Sequence, residues 1–170
     1  MTPQKKKKLI MWALYALYFL LILLIQNTLC GKYALAGVHL ILVPAAVTCV
    51  CIFTGPEQGG IFALAAATLW SLSGVTDGGL WLLTVTLCAV VSGWLCDAFF
   101  HRRLLAGILV CFFSLAITLA VSYLIRSYFQ GGLLADLKLY LRQILLPVPL
   151  YPILYGLCAL IRKAGGPWTD

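Results

Sequence analysis

The chain has 170 residues, of which 63% are hydrophobic and only 10% are charged, with a mean hydropathy of +1.03. Because soluble domains carry about 25% charged residues, this composition excludes an ordinary water-soluble domain and predicts an integral membrane protein. The net charge of +7 is attributed to lysines and arginines that hold helix ends on the cytoplasmic side, so we expect no nucleic-acid partner.

Six apolar segments predict the fold class. Most of them approach the roughly 20 residues that a helix needs to cross a bilayer. They lack the alternating pattern of a membrane β-barrel, and backbone groups in lipid must be hydrogen-bonded within their own segment. We therefore expect an all-α, polytopic membrane protein, with residues 1–170 as a single membrane domain and a bundle of six transmembrane helices. The spans are expected at about 9–25, 38–54, 61–75, 79–96, 104–125 and 144–161.

The first span follows four consecutive lysines, Lys5 to Lys8. Its apolar run is long and no small-x-small cleavage site follows it, so we expect an uncleaved anchor. With six spans, both termini lie on one side of the membrane, where eight lysines and arginines collect against four on the other side. The positive-inside rule then predicts that both termini are cytoplasmic.

The stretch FTGPEQGG, residues 53–60, separates the second span from the third. Proline cannot continue a helix and restricts the residue before it, while paired glycines allow a tight reversal. Glu57 and Gln58 keep the tip in water, so we expect the first cytoplasmic turn here and a matching outside turn after the third span. The turn-forming residues are expected to be Gly55, Pro56, Gly59 and Gly60 in the first turn and Asp77 and Gly78 in the second.

Small residues recur four positions apart in the third and fourth spans. The pairs are Ala63 with Ala67 and Ala89 with Gly93. A small-x-x-x-small spacing lets two helices approach closely, so we expect these four residues to serve helix packing.

Three charged side chains share the cytoplasmic face of the predicted topology. Glu57 lies in the first turn, and Arg102 and Arg103 lie between the fourth and fifth spans. They are candidate contacts for a cytoplasmic partner or for lipid head groups. For the two arginines, the alternative is that they only anchor the topology.

The approach to the sixth span has its own pattern. Apolar residues recur at helical spacing between Leu133 and Ile144, which predicts a short helix over 133–143 lying in the membrane interface. An extension of the sixth helix explains the spacing equally well. The sixth span itself begins LPVPLYP, and Pro147, Pro149 and Pro152 are expected to loosen its start. The freed carbonyls then need partners, so we expect this region to pack against protein.

The sequence carries no visible catalytic constellation. All five acids fall at or beyond the ends of the spans, neither histidine sits in mid-span, and no Gly-rich phosphate loop is present. The seven cysteines form no CxxC pair and lie mostly in apolar runs, where cysteine behaves as a small hydrophobe. We therefore expect no metal, no other cofactor and no enzymatic activity.

The order of elements between residues 38 and 125 matches a known arrangement. It runs VHLILVPAAV (38–47), GPEQGG (55–60), SLSG (71–74), GGLWLLTVTLCAVVSGWL (78–95) and HRR (101–103). This order resembles MreD, the small integral membrane protein of the bacterial rod-shape, or elongation, machinery. The family commonly shows a Gly-Pro-x-x-Gly turn, matched by Gly55, Pro56 and Gly59, and then a fourth helix rich in small residues. In this chain, Ala89, Ser92, Gly93 and Trp94 resemble that helix, and Arg102 or Arg103 resembles the arginine that follows it in the family. The chain departs from the family at two positions: Trp70 stands where the family often has aspartate, and Leu104 where it often has asparagine.

The resemblance implies a scaffold without catalysis of its own in the bacterial cell membrane. Its implied partners are an MreC-like protein, the MreB filament, RodA and a penicillin-binding transpeptidase, together with membrane lipids. In that role it would support lateral peptidoglycan synthesis and cell shape.

Two other classes of function remain open from the residues alone. One is the substrate-binding S component of an energy-coupling-factor vitamin transporter, although Ala13 and Ala16 of the first span match its usual Ala-x-x-x-Ala poorly. The other is a small ion-conducting or lipid-handling protein. For that class the polar candidates are Thr84, Thr86 and Ser92, whose hydroxyls we instead expect to bond to carbonyls of their own helix.

Overall fold

The computed structural model describes residues 3–30, 40–73, 79–100, 104–130 and 135–165. Every secondary-structure element in these ranges is helical, which confirms the all-α expectation for the described residues. The elements are α1 (Pro3–Ile25) with a π-helical end (Gln26–Cys30), α2 (Val43–Thr54), α3 (Pro56–Leu72), α4 (Gly79–Leu95) with a π-helical end (Cys96–Phe100), α5 (Leu104–Gln130), α6 (Ala135–Leu145), a 3₁₀ turn (Val148–Leu150) and α7 (Tyr151–Gly165).

Four helical segments among the described residues are long and apolar enough to cross a membrane. They are consistent with a membrane protein, but they do not establish six spans. In the described part of the second predicted span, residues 40–42 are not helical and α2 begins at Val43, so α2 has 12 residues and a length of about 18 Å. Helix α3 has 17 residues. The four segments are Lys5–Thr28, Leu80–Ala98, Gly107–Leu124 and Tyr140–Lys163.

Helix α2 forms the centre of the bundle. Every side chain from Val43 to Phe53 is buried, and α1, α3, α4, α5 and α7 all pack against it. A helix that is apolar on every face belongs in such a surrounded position rather than at a surface. The sequence of α2 therefore specifies an inner helix, held by the longer helices around it.

The outer helices expose large apolar side chains on their outward faces. In α4 they recur three or four residues apart, which forms a continuous stripe along the helix. Large apolar surface of this kind is compatible with lipid as the surrounding solvent. The exposed residues of the α4 stripe are Leu80, Leu83, Leu87, Val91 and Trp94.

Helices α6 and α7 are separate elements. The N–H of Leu146 donates to the carbonyl of Arg142 at the end of α6, and a 3₁₀ turn then leads into α7. Tyr140 of α6 packs on Tyr123 of α5, with ring centroids 4.9 Å apart. Since Tyr140–Lys163 also forms one of the four candidate spans, both alternatives, an interfacial helix and an extension of the sixth span, stay predictions.

The proline-rich segment before α7 behaves only partly as expected. The continuous helix is broken there, since proline lacks the donor that the helical ladder needs. Pro147 is buried, but Pro149 and Pro152 are exposed on the outside of the protein. Pro149 lies in the 3₁₀ turn and Pro152 in the first turn of α7, whereas Tyr151 and Leu154 beside them are buried. The region therefore packs against protein on one face only.

Candidate interaction surface at the Gly55 junction

The connection between α2 and α3 is a single residue, Gly55. Its φ of 86° lies where side chains with a Cβ are strained, so glycine suits the position. Its N–H donates to the carbonyl of Cys51 (2.9 Å), and its own carbonyl accepts from the N–H of Gly59 (2.9 Å). Pro56 occupies the first position of α3, where the missing N–H costs no helical hydrogen bond.

The predicted turn over residues 55–60 is therefore shorter than expected. Gly59 and Gly60 lie inside α3 and do not form the reversal, because Pro56 starts the helix directly after Gly55. The two glycines instead allow close packing. A Cβ added at Gly59 would lie 2.7 Å from the Cα of Cys51, and one added at Gly60 would lie 2.9 Å from the Cγ2 of Val90.

The C-terminal end of α4 closes over this connection. A Cβ added at Gly93 would lie 3.1 Å from the carbonyl oxygen of Cys51 and 3.4 Å from the nitrogen of Pro56. The Oδ2 of Asp97 lies 3.4 Å from the position that a Cβ would take at Gly55. A carboxylate at a helix N-terminus typically contributes about 0.3–1 kcal/mol. We call this contact of α2, α3 and α4 the Gly55 junction, formed by Gly55, Pro56, Gly59, Gly93 and Asp97.

Two further helix ends lie beside the Gly55 junction. The guanidinium of Arg162, in the last turn of α7, lies 5.9 Å from the ring centroid of Phe53. Lys8, near the start of α1, lines the same cleft as Gln58 of α3. The described charged residues at this end of the bundle are mainly basic, comprising Lys5, Lys6, Lys7, Lys8, Arg162 and Lys163 against Glu57 and Asp97.

The candidate contact residues are placed only in part. Glu57 is exposed in the first turn of α3, at the Gly55 junction. Arg102 and Arg103, like Asp77 and Gly78 of the second predicted turn, lie outside the described residues. The small residues assigned to helix packing are all buried, and the two helices that carry them, α3 and α4, are in contact; these residues are Ala63, Ala67, Ala89 and Gly93.

An open cleft of about 400 Å³ lies between α1 and α3 at this end of the bundle. The ring of Trp12 in α1 packs on Phe62 in α3 with centroids 6.2 Å apart, and Phe19 also packs on Phe62 at 5.9 Å. The side-chain oxygen of Gln58 is buried and has no hydrogen-bond partner among the described residues. No sequence pattern indicates this cleft, because it depends on how two helices that are distant in the chain lie beside each other.

Gln26 is a structural residue that the sequence analysis missed. Its side chain is 3% exposed, its Nε2 donates to the carbonyl of Leu40 at 2.7 Å, and its Oε1 accepts from the N–H of Leu42 at 2.7 Å. The signal was present in the sequence as an amide pair, Gln26 and Asn27, at the end of a long apolar run. Its partners are 14 and 16 residues away, so local pattern did not identify them.

The described part of the interior holds thiols and hydroxyls. Within the described ranges, no three His, Cys, Asp or Glu side chains are grouped to hold a metal ion, and the six cysteines whose side chains are described are free thiols. Five of those six cysteines are buried, as expected for small hydrophobes. The hydroxyls of Thr84, Thr86 and Ser92 all donate to carbonyls four residues earlier in α4, which confirms the expectation of bonding within the helix.

Comparison with known proteins gave no match to a protein-family model, to a curated protein or to a solved structure.

Proposed function

We propose that the protein is a non-catalytic membrane scaffold of the bacterial rod-shape complex, of the MreD type. The observation that supports the proposal most is a contact between two of the segments that resemble MreD. Gly93, from the small-residue stretch of α4, lies against Pro56 and Cys51 at the start of the Gly-Pro-x-x-Gly stretch. Residues that are distant in sequence thus share one packing site, at which α2, α3 and α4 meet.

The physical role of these residues is to fix the relative positions of three helices. Gly59 brings α3 against α2, and Gly93 brings α4 against α2, each with no room for a side chain. Small residues favour such close approach, and the resulting van der Waals contact stabilises helix association in lipid. A fixed helix arrangement presents a constant surface to neighbouring proteins, which is what a scaffold requires.

The proposed orientation places the Gly55 junction and both termini in the cytoplasm. The basic residues Lys5–Lys8, Arg162 and Lys163 support it, because such residues accumulate on the cytoplasmic side of membrane proteins. Glu57 is then exposed toward the cytoplasm, where it is the proposed contact for a partner. The partners are an MreC-like protein, MreB, RodA and a penicillin-binding transpeptidase.

The departure from the family pattern at Trp70 coincides with an aromatic contact in the structure. Trp70, at the position where MreD proteins often carry aspartate, is buried and packs edge-on against Trp81 with centroids 5.3 Å apart. This contact joins the ends of α3 and α4 that lie far from the Gly55 junction. We therefore propose that an aromatic contact holds this end, and that no acid is required at this position.

Depletion of the protein in a rod-shaped host tests the proposed function. Cells should become round, and the MreC-like protein should be lost from the membrane assembly that co-purifies with the synthases. Unchanged shape together with an intact assembly would refute the proposal. If the purified protein instead carries a tightly bound vitamin and an ATPase pair, the S-component alternative replaces it.

A partner-contact variant makes the same test more specific. Glu57→Lys should weaken co-purification of the MreC-like protein while destabilising the protein by no more than about 1–2 kcal/mol, because Glu57 is exposed and loses only its favourable position at the N-terminus of α3. Lys138→Glu is the matched control, as an exposed charge reversal on α6, away from the Gly55 junction. Equal loss of partner with both variants would contradict a contact at Glu57.

A further inference from the structure

The cleft between α1 and α3 combines an apolar wall with a basic rim. Trp12, Ile61, Phe62 and Ala65 supply the apolar lining, and Lys8 and Gln58 supply the polar atoms. Its volume of about 400 Å³ falls in the range of small-molecule sites. Ile61 is 74% exposed, so the cleft opens toward the surroundings of the bundle, where acyl chains would be present in a membrane.

The charge near the cleft favours an anionic occupant. Lys8 lines the cleft, and Lys5, Lys6 and Lys7 precede it in the same helix with exposed side chains. Basic residues close to a membrane surface attract anionic lipid head groups. Glu57 is an exposed acid next to Gln58, but the lysines outnumber it.

The amide of Gln58 adds a requirement for a hydrogen-bond donor. Its Oε1 is buried without a partner among the described residues, while other atoms of Gln58 line the cleft. A donor in the cleft reaches this oxygen only when the Gln58 amide rotates toward the cleft. A buried carbonyl oxygen is stabilised when a donor reaches it. A hydroxyl group on the occupant's head group supplies such a donor, whereas a choline head group has none.

We propose that this cleft binds an anionic glycerophospholipid whose head group carries a hydroxyl, such as phosphatidylglycerol. The phosphate lies against Lys8, the head-group hydroxyl donates to Gln58, and the start of an acyl chain packs on Trp12 and Phe62. Trp and Tyr side chains favour this level of a bilayer, between head groups and hydrocarbon. The site is independent of the proposed scaffold function.

The test uses the full chain, delipidated in mild detergent and titrated with single lipids under native mass spectrometry. Phosphatidylglycerol is compared with phosphatidylmethanol, which has the same charge but no head-group hydroxyl, and with phosphatidylcholine. Phosphatidylglycerol should bind most tightly and phosphatidylcholine least. Equal affinity for the two anionic lipids, or displacement of the lipid by millimolar glycerol phosphate, would overturn the assignment.

Three variants separate the contributions of charge and hydrogen bonding. Lys8→Gln should lower the affinity for both anionic lipids about fivefold. Lys5→Gln removes the same charge outside the cleft lining and should lower these affinities less than about twofold. Gln58→Leu should abolish the preference for phosphatidylglycerol over phosphatidylmethanol and leave phosphatidylmethanol unchanged. Circular dichroism verifies that each variant is folded.

Two results would refute the site even where lipid binds. Equal effects of Lys8→Gln and Lys5→Gln would show general attraction to the lysine tract and not binding in the cleft. A photo-cross-linker at Ile61 that captures a protein in cell membranes, and no phospholipid, would assign the cleft to a partner helix. Capture of phospholipid at Ile61 together with the expected variant effects supports the proposal.

Discussion

Gln26 accepts a 2.7 Å hydrogen bond from the backbone N–H of Leu42, the residue immediately before α2. The same amide donates to the carbonyl of Leu40 at 2.7 Å. Residues 40–42 are not helical, so their backbone groups need partners from elsewhere in the bundle. The side chain of Gln26, at the end of α1, therefore supplies hydrogen-bond partners for the backbone of Leu40 and Leu42, which lead into the central helix.

Replacing Gln26 tests this role. Gln26→Leu should destabilise the protein by about 2–5 kcal/mol, since it leaves a buried N–H and a buried carbonyl without partners. Thermal unfolding in detergent, followed by circular dichroism, measures the change. Thr28→Val is the control, because the exposed Thr28 hydroxyl bonds to the carbonyl of Leu24 in its own helix. Similar melting temperatures for the two variants would contradict the role of Gln26.

The close approach at Gly59 predicts a stability loss from a single methyl group. Gly59→Ala should cost about 1–3 kcal/mol, since the new Cβ would meet the Cα of Cys51 at 2.7 Å and the backbone would have to move. Gly156→Ala is the matched control in α7, where nothing lies within 4 Å. It should be neutral or stabilise by up to about 1 kcal/mol. If both variants melt alike, the packing at Gly59 is not what the structure indicates.

Gly60 differs from Gly59 in the kind of atom it faces. The nearest atom to an added Cβ is the Cγ2 of Val90, at the end of a side chain. Gly60→Ala should therefore cost less than Gly59→Ala, because Val90 can shift more easily than the backbone of α2. Replacing both glycines with valine should lower accumulation of the protein in the membrane, as quantitative immunoblotting of membrane fractions would measure. Unchanged accumulation would show that neither glycine is needed.

Because Trp70 packs on Trp81 at the far end of α3, we expect that Trp70 cannot be replaced by an acid without loss of stability. Trp70→Asp should destabilise the protein by more than about 4 kcal/mol, because it removes a large buried side chain and places a carboxylate among apolar groups. Trp70→Phe keeps an aromatic ring against Trp81 and should cost much less. Melting temperatures of the two variants provide the comparison. A stable, normally accumulating Trp70→Asp protein would indicate that this position still accepts the family's acid.

The sequence predicted the helical class because that property depends on local composition. Long apolar runs without alternation allow only helices in lipid, and the described parts of α1, α4 and α5 follow their predicted spans closely. Gly55 was also identified correctly as a turn residue, since Gly-Pro is a local signal. In contrast, Gly59 and Gly60 were assigned to the turn, because composition does not distinguish a flexible glycine from one that permits close packing.

The features that the sequence did not predict depend on contacts between distant segments. The shortness of α2 and its central position depend on the five helices that surround it. Gln26 and Asp97 find their neighbours on other elements, and the cleft exists only where α1 and α3 diverge. Hydrophobic periodicity indicates which segments are helical, but it does not indicate which faces meet.

Affinity purification of the full chain from rod-shaped bacterial cells in mild detergent tests the scaffold proposal most directly. Quantitative mass spectrometry of the co-purifying proteins is the measurement. The account predicts an MreC-like protein in near-stoichiometric amount, accompanied by RodA and a penicillin-binding transpeptidase. Recovery of an ATPase pair with its coupling subunit, without any MreC-like protein, would contradict it.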